Sequence, residues 1–141
     1  MANATMIKFG YPGTLLKDGR HWALLLRPAQ PTLGSLVLCA TSEARAYGEL
    51  PAEAFAEQAL FVAEIERVLS KFVAYERINY LMLMMVDPHV HFHVIPRYQG
   101  TRDYAGVTFA DAGWPAVPAL GESKPIPEGL TEELRRRLVG L

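Results

Sequence analysis

The sequence predicts an α+β domain: one β-sheet with a long helix packed on it and a short helix near the C-terminus. Three observations lead there. Apolar runs on both sides of Asp18-Gly19 signal a tight hairpin. Between Pro51 and Phe72 the apolar period changes to three and four residues, the spacing of one helix face. From Asp87 to Arg97 histidine alternates with bulky apolar residues, which is the two-residue period of a strand.

Composition bounds the partners. A chain of 141 residues, 50% hydrophobic and 21% charged, fits a single domain over residues 1–141 that buries roughly two-thirds of its unfolded surface. A net charge of −1, with the basic residues scattered, argues against a nucleic-acid or anionic-membrane partner. The lone Cys39 allows no intrachain disulfide and suits a reducing compartment. No apolar run reaches the length needed to cross a bilayer, and Met1 to Gly10 lacks the apolar core of a secretory signal. Cytoplasm is therefore the expected location.

In order along the chain, Thr14–Lys17 and His21–Arg27 form the first two strands. His21 sits beside their turn, where an exposed surface imidazole is the simpler reading. Pro28 to Gly34 interrupts the pattern and Ser35–Ala40 resumes it as a third strand, with Cys39 as a small core residue. The helix from Pro51 to Phe72 carries one stripe of Phe55, Ala59, Val62, Ile65, Leu69 and Phe72, with Pro51 at the first helical position and Glu53 at the positive end of the dipole. Arg77–Val86 then reads as a largely buried strand, whose methionines either fill the core or floor a pocket for a flat base. Beyond Arg97 the chain is irregular but holds Tyr104, Phe109 and Trp114 as apolar anchors, so an ordered wrap is expected. Thr131 as cap, Glu132 and Glu133 in the first turn and Arg135 to Arg137 in the last predict the short terminal helix.

The stretch Asp87-Pro88-His89-Val90-His91-Phe92-His93-Val94-Ile95-Pro96-Arg97 holds three of the four histidines. On a strand, His89, His91 and His93 share one face that lines a pocket, while Val90, Phe92 and Val94 share the buried face. Pro88 and Pro96 cannot donate to a ladder and so bound the strand. At about 3.3 Å per residue, His89 and His93 stand roughly 13 Å apart, too far for one metal to bind all three rings. Two neighbouring rings could share a zinc, but the sequence offers no paired Cys and no second His cluster to complete the set. Histidines that merely tolerate a half-exposed face explain one such residue easily and three in alternation poorly. The remaining use is covalent chemistry on phosphorus, with one imidazole as nucleophile and a neighbour as proton donor or charge stabiliser.

His89-Val90-His91-Phe92-His93-Val94-Ile95 resembles the motif of the histidine-triad family of nucleotide hydrolases and transferases, and a weaker resemblance runs from about Thr14 to Tyr98. It implies a core over about 14–98 followed by a C-terminal wrap and short helix over 99–141. It also implies an antiparallel sheet with helices on one side, commonly paired about a two-fold axis into a homodimer. The implied enzyme acts on the α-phosphate of a nucleoside monophosphate conjugate, such as a dinucleoside polyphosphate, a nucleoside phosphoramidate or an adenylyl conjugate. His91 would attack phosphorus and form a nucleotidyl-histidine that water hydrolyses. His89 and His93 would assist, with the backbone around His89 keeping the far nitrogen of His91 protonated, and His93 and Arg97 would help bind phosphate. No cofactor is strictly required, and polyphosphate substrates leave room for a divalent metal.

Three departures from the family pattern stand beside these expectations. Many relatives have His directly after the Gly of the third strand, where this chain has Ser35 after Gly34, so a hydroxyl would replace the fourth histidine. The Gly-Gln segment that often contacts phosphate is replaced within Leu83–Asp87. Leu26 or Arg27 stands where relatives hold ribose with an acidic residue or Asn, and Arg27 would meet a phosphate instead or lie exposed at the strand end. Asn79, polar in an apolar strand, either lines the pocket or makes a simple hydrogen bond. The departures motivate a second expectation, a low-turnover nucleotide-binding or signalling protein. A third is a metal-dependent enzyme using two of the triad histidines.

Overall fold

The structure, a computed structural model, describes residues 2–138. Helix α1 (Ala4–Lys8) precedes the hairpin of β1 (Leu15–Asp18) and β2 (Trp22–Leu26), then β3 (Ala29–Gln30) and β4 (Leu36–Ala40). After a 3₁₀ turn at Tyr47–Glu49 come the long helix α2 (Ala52–Phe72), β5 (Arg77–Leu81) and β6 (His91–Arg97). The chain ends in β7 (Thr101–Tyr104), β8 (Val107–Ala110), β9 (Lys124–Pro125) and α3 (Leu130–Arg137). Five strands form one antiparallel sheet in the order β1-β2-β4-β6-β5, and β3 with β9 and β7 with β8 make small satellite pairs. The α+β expectation holds, with its antiparallel sheet, long helix and short terminal helix. Among the described residues, no helix is long and apolar enough to cross a membrane.

Strands β2 and β4 are buried at every position, because WALLL and LVLCA are apolar on both faces of the pleat. On one side Trp22, Leu24, Leu26, Leu36 and Leu38 pack with α2 and with Leu130 and Leu134 of α3. On the other, Ala23, Leu25, Val37 and Cys39 pack with Met6 and Phe9. Helices therefore lie on both faces, which corrects the expected one-sided arrangement: a strand apolar on both faces needs a cover on each. Burial of Met6 and of Phe9 stabilises the fold by about 1.5–3 kcal/mol each. Asn3 starts α1 as its cap, accepting from the Met6 N–H at 3.0 Å.

Helix α2 is docked by its own acid. The Glu57 carboxylate accepts the backbone N–H groups of Arg20 at 3.1 Å, His21 at 2.8 Å and Trp22 at 3.0 Å, holding the hairpin turn. Gly19 is needed there, since a Cβ would come within 2.8 Å of both Glu57 and Phe61. The indole N–H of Trp22 donates to the Ala54 carbonyl at 2.7 Å. These bonds choose between two adjacent apolar stripes. The buried one is Ala54, Phe61, Ile65, Val68 and Leu69, while Phe55 and Ala59 from the expected stripe are exposed. Pro51 is the N-cap rather than the first helical residue.

Two boundaries move near the histidines. The strand expected to reach Val86 ends at Leu81, opposite His93. Met82 and Met84 then pack on the helix-side core, away from the His91 and His93 face, so they do not floor a pocket beside those rings. His89 lies ahead of β6 instead of within it; the Val90 N–H bonds to the Ala44 carbonyl, and the Val90 carbonyl accepts from Ala40. Pro88 lacks the N–H that would extend the ladder.

The residues after Arg97 wrap back on the core through Phe109, which is buried, and Tyr104, whose ring lies 5.8 Å from that of Phe72. Gly129, at φ +85°, caps α3 in place of Thr131, which lies inside the first turn. Arg136 and Arg137 pair with Glu133, and Arg135 donates to the carbonyls of Leu15 and Gly13, which accounts for the arginine run without a ligand. The wrap is fastened by a buried fork: Arg97 Nε and Nη2 donate to Asp111 at 2.6 and 3.2 Å. Removing one partner of a buried pair leaves the other charge unmatched, so Asp111→Ala should lose about 3–5 kcal/mol in urea unfolding. Glu133→Ala at the solvated arginines should lose far less, and equal losses at the two sites would contradict this account.

Candidate active site

Strand β6 places His91 opposite Cys39 and His93 opposite Val37, on the face away from α2, while Val90, Phe92 and Val94 join the helix-side core as the alternation predicts. The rings of His91 and His93 meet edge to face with centroids 5.2 Å apart. His89 turns its Nδ1 to the Glu43 carbonyl at 3.0 Å, and its backbone N–H donates to Thr5 Oγ1 at 3.1 Å.

Hydrogen-bond partners assign the tautomers. His91 Nδ1 lies 2.7 Å from the carbonyl of His89, which can only accept, so that nitrogen carries the proton. The lone pair is then on His91 Nε2, the buried side-chain nitrogen that has no hydrogen-bond partner among the described residues. His93 is the opposite case: Arg27 Nε donates to its Nδ1 at 3.3 Å, which places the ring proton on Nε2.

Burial, and then the positive Arg27, depress the pKa of His93 from its ordinary 6.5 to about 4. His93 is thus a neutral donor at physiological pH, and the fixed positive charge beside it belongs to Arg27. Burial also pushes the thiol of Cys39 up to about 12, so it stays protonated beside His91. Among the described residues, no three His, Cys, Asp or Glu side chains converge as a metal-ligand set.

The histidine face is covered, where the alternation had predicted an imidazole-lined pocket. His91 is 0% exposed and His89 and His93 are 6% exposed. The Phe9 ring centroid lies 5.8 Å from that of His91 and 5.5 Å from that of His93. A larger cleft of about 980 Å³ opens instead at the β5 edge, lined by Arg77, Asn79, Leu81, Arg97 and Trp114.

Of the other residues expected at the site, Arg27 is brought to the triad. Arg97 is not. It stands four positions beyond His93 on the strand, roughly 13 Å away, and its guanidinium is engaged by Asp111, by Asn79 Oδ1 at 2.9 Å and by the Ala116 carbonyl at 2.8 Å. Asn79 accordingly makes the simple hydrogen bond that was its alternative. The Ser35 hydroxyl is buried and donates to the Thr32 carbonyl at 2.8 Å, inside the turn that Gln30 closes by accepting from the Gly34 N–H. Sequence reasoning missed Asn3, Thr5, Met6 and Phe9. Asn3 as a helix cap and the two-sided hydrophobicity of β2 and β4 were the signals for them.

No family profile and no curated protein sequence matches the chain. Among solved structures, a histidine triad protein from Bradyrhizobium japonicum superposes with a TM-score of 0.71 at 18% identity, covering 99% of this chain and 98% of its own. A histidine triad (HIT) protein from Sinorhizobium meliloti gives 0.74 at 20% identity, over 98% and 93% of the two chains. A hypothetical histidine triad nucleotide-binding protein from Sulfolobus tokodaii gives 0.65 at 20% identity, over 95% and 86%. At these identities the likeness shows the fold: the chain has the histidine-triad fold.

The depressed pKa of His93 has a consequence for stability. The unfolded chain takes up a proton near pH 6.5 that the folded chain refuses until about pH 4. The contribution is therefore complete above pH 6.5 and lost as pH falls through that window, a change of roughly 3 kcal/mol. His93→Gln should flatten this part of the stability profile in urea unfolding from pH 7 to pH 4. Parallel profiles for the two proteins would refute the assignment.

Proposed function

We propose that this chain is a nucleotide hydrolase or nucleotidyltransferase that cleaves a nucleoside monophosphate conjugate through a nucleotidyl-histidine at His91. The observation that carries the proposal is the bond from His91 Nδ1–H to the His89 carbonyl, which leaves a lone pair on an otherwise unpartnered Nε2. In the first step Nε2 bonds to the α-phosphorus and the bond from phosphorus to the leaving group breaks. The positive charge that develops on His91 is stabilised through Nδ1–H by the His89 carbonyl. His93 cannot supply the leaving-group proton, because losing its only ring proton would leave an imidazolate; it donates a hydrogen bond to a phosphoryl oxygen instead. Arg27 adds fixed positive charge on that side. The proton for the leaving group comes from His89 or solvent. Water then attacks phosphorus, the P–N bond returns its electron pair to Nε2, and the water proton is released.

The covered rings, and the commitment of Ser35 and Arg97 to other bonds, favour a second reading as a nucleotide-binding protein of low turnover. One experiment separates the two. Wild type and His91→Ala are quenched without acid after brief exposure to adenylyl and guanylyl conjugates and phosphoramidates, with chelator present, and examined by mass spectrometry. A nucleotidyl adduct on wild type only, with product released, is expected. Nucleotide binding with neither adduct nor product would establish the second reading. Arg27→Ala should lower turnover by about 10²-fold, the loss typical of removing one preorganised charge-stabilising group.

The same proposal extends to a homodimer. Strand β5 is a sheet edge with unpaired backbone groups, and Leu83, Met85, Val86 and Val117 expose apolar surface, Met85 at 88%. Two copies paired along β5 would continue the sheet across a two-fold axis. Sedimentation should give a dimer that Met85→Asp with Val86→Asp weakens; a monomer for the unaltered chain would refute it.

A further inference from the structure

A nucleophile must be reachable, and His91 is not. It is fully buried, and the sheet and α2 close it off from one side. On the other side the N-terminal segment packs over it, with Tyr11 and Leu15 against the same cluster. Met6 and Phe9 belong to the same core cluster as Val37 and Cys39, and Phe9 packs against both His91 and His93. We propose that Asn3–Phe9 is a lid over the histidine face, hinged at Gly10 and latched to the loop before the triad by Lys8 and Asp87, and that His91 meets substrate only when the lid lifts. The inference rests on the reading of His91 as the nucleophile.

The attachments suit a segment that opens as a unit. Helix α1 has five residues, too few to be stable by itself, so it depends on what it touches. Its polar anchors are Asn3 Nδ2, which donates to the carbonyls of Ala40 at 2.8 Å and Ser42 at 2.7 Å, Thr5 Oγ1, which accepts from His89 N–H, and Lys8 Nζ, which meets Asp87 at 2.8 Å; beside the hinge the Phe9 carbonyl accepts from Thr14 Oγ1 at 2.7 Å and the Met6 carbonyl from Tyr11 N–H at 3.1 Å. The latch is partly solvated at Lys8, which lowers the cost of breaking it. Gly10 follows directly with φ +93°, a backbone state that glycine adopts freely, and a Cβ there would lie 2.7 Å from Thr14. Two anchors reach the triad itself. Asp87 is two residues before His89, and Thr5 bonds the same residue whose carbonyl orients His91. Closing the lid thus also sets the position of the His89 backbone.

Tethering tests this. In Lys8→Cys with Asp87→Cys, made together with Cys39→Ala because Cys39 lies under the same cover as His91, a short reducible bis-thiol linker replaces the latch. The readout is carbethoxylation of His91 by diethyl pyrocarbonate, mapped by peptide mass spectrometry, with His21 outside the lid as internal reference. The tether should slow His91 modification at least about tenfold, in proportion to the lost open population, leave His21 unchanged, and release the block on reduction. Asp87→Asn without a tether should speed it. His91 modified at the same rate with and without the tether would overturn the lid. Nucleotidyl adduct formation is followed on the same samples. Modification that follows the tether while no adduct forms in any state would keep the lid and overturn the nucleotidyl reading.

Discussion

Two central strands that are apolar at every position need a cover on both faces, and the rest of the molecule is arranged to meet that requirement. Helix α2 supplies one cover, clamped by Glu57 on the hairpin turn and by Trp22 on the helix backbone. The N-terminal segment supplies the other. The histidines sit on this second face because β6 pairs beside β4 in a register that sends Val94 toward the helix, and the two-residue period then sends His91 and His93 the opposite way. Packing and chemistry are coupled at that point: the residues that complete the core around Val37 and Cys39 also close over the imidazoles.

Within the site, three rings that are identical in sequence acquire different roles from their partners. A carbonyl can only accept and a guanidinium can only donate. The carbonyl of His89 therefore fixes a proton on the near nitrogen of His91, and Arg27 fixes one on the far nitrogen of His93. Burial and the neighbouring positive charge keep His93 neutral, so the positive charge beside the rings belongs to a residue that stays ionised across the physiological range. Arg97 resembles Arg27 in type and stands on the triad strand, yet it serves the fold, holding the C-terminal wrap through Asp111.

Much of this was legible in the chain. The hairpin at Asp18-Gly19, the long helix, the apolar and imidazole faces of the triad strand and the role of the terminal arginines follow from local periodicity and side-chain chemistry. The misses have one common cause, that several local solutions were equivalent. Two neighbouring stripes on α2 satisfy helical spacing, and the contacts to Trp22 and the hairpin turn select Ala54 and Phe61 over Phe55 and Ala59. Leu83 to Val86 have strand composition, but the ladder with β6 stops at Leu81. Ser35, Asn79 and Arg97 are polar residues in apolar surroundings, as a ligand-binding residue would be, and their hydrogen bonds turn out to lie within the fold.

The sequence by itself determined the sheet-and-helix class and the alternation that separates His91 and His93 from Val90, Phe92 and Val94, because both depend on neighbours within a few positions. Only the tertiary structure decided which ring nitrogen holds the proton, which arginine meets the histidines, and that Phe9 lies over His91. Those depend on contacts between residues distant in the chain, such as Arg27 with His93 and Phe9 with His91, and such contacts leave no periodic trace in the order of amino acids.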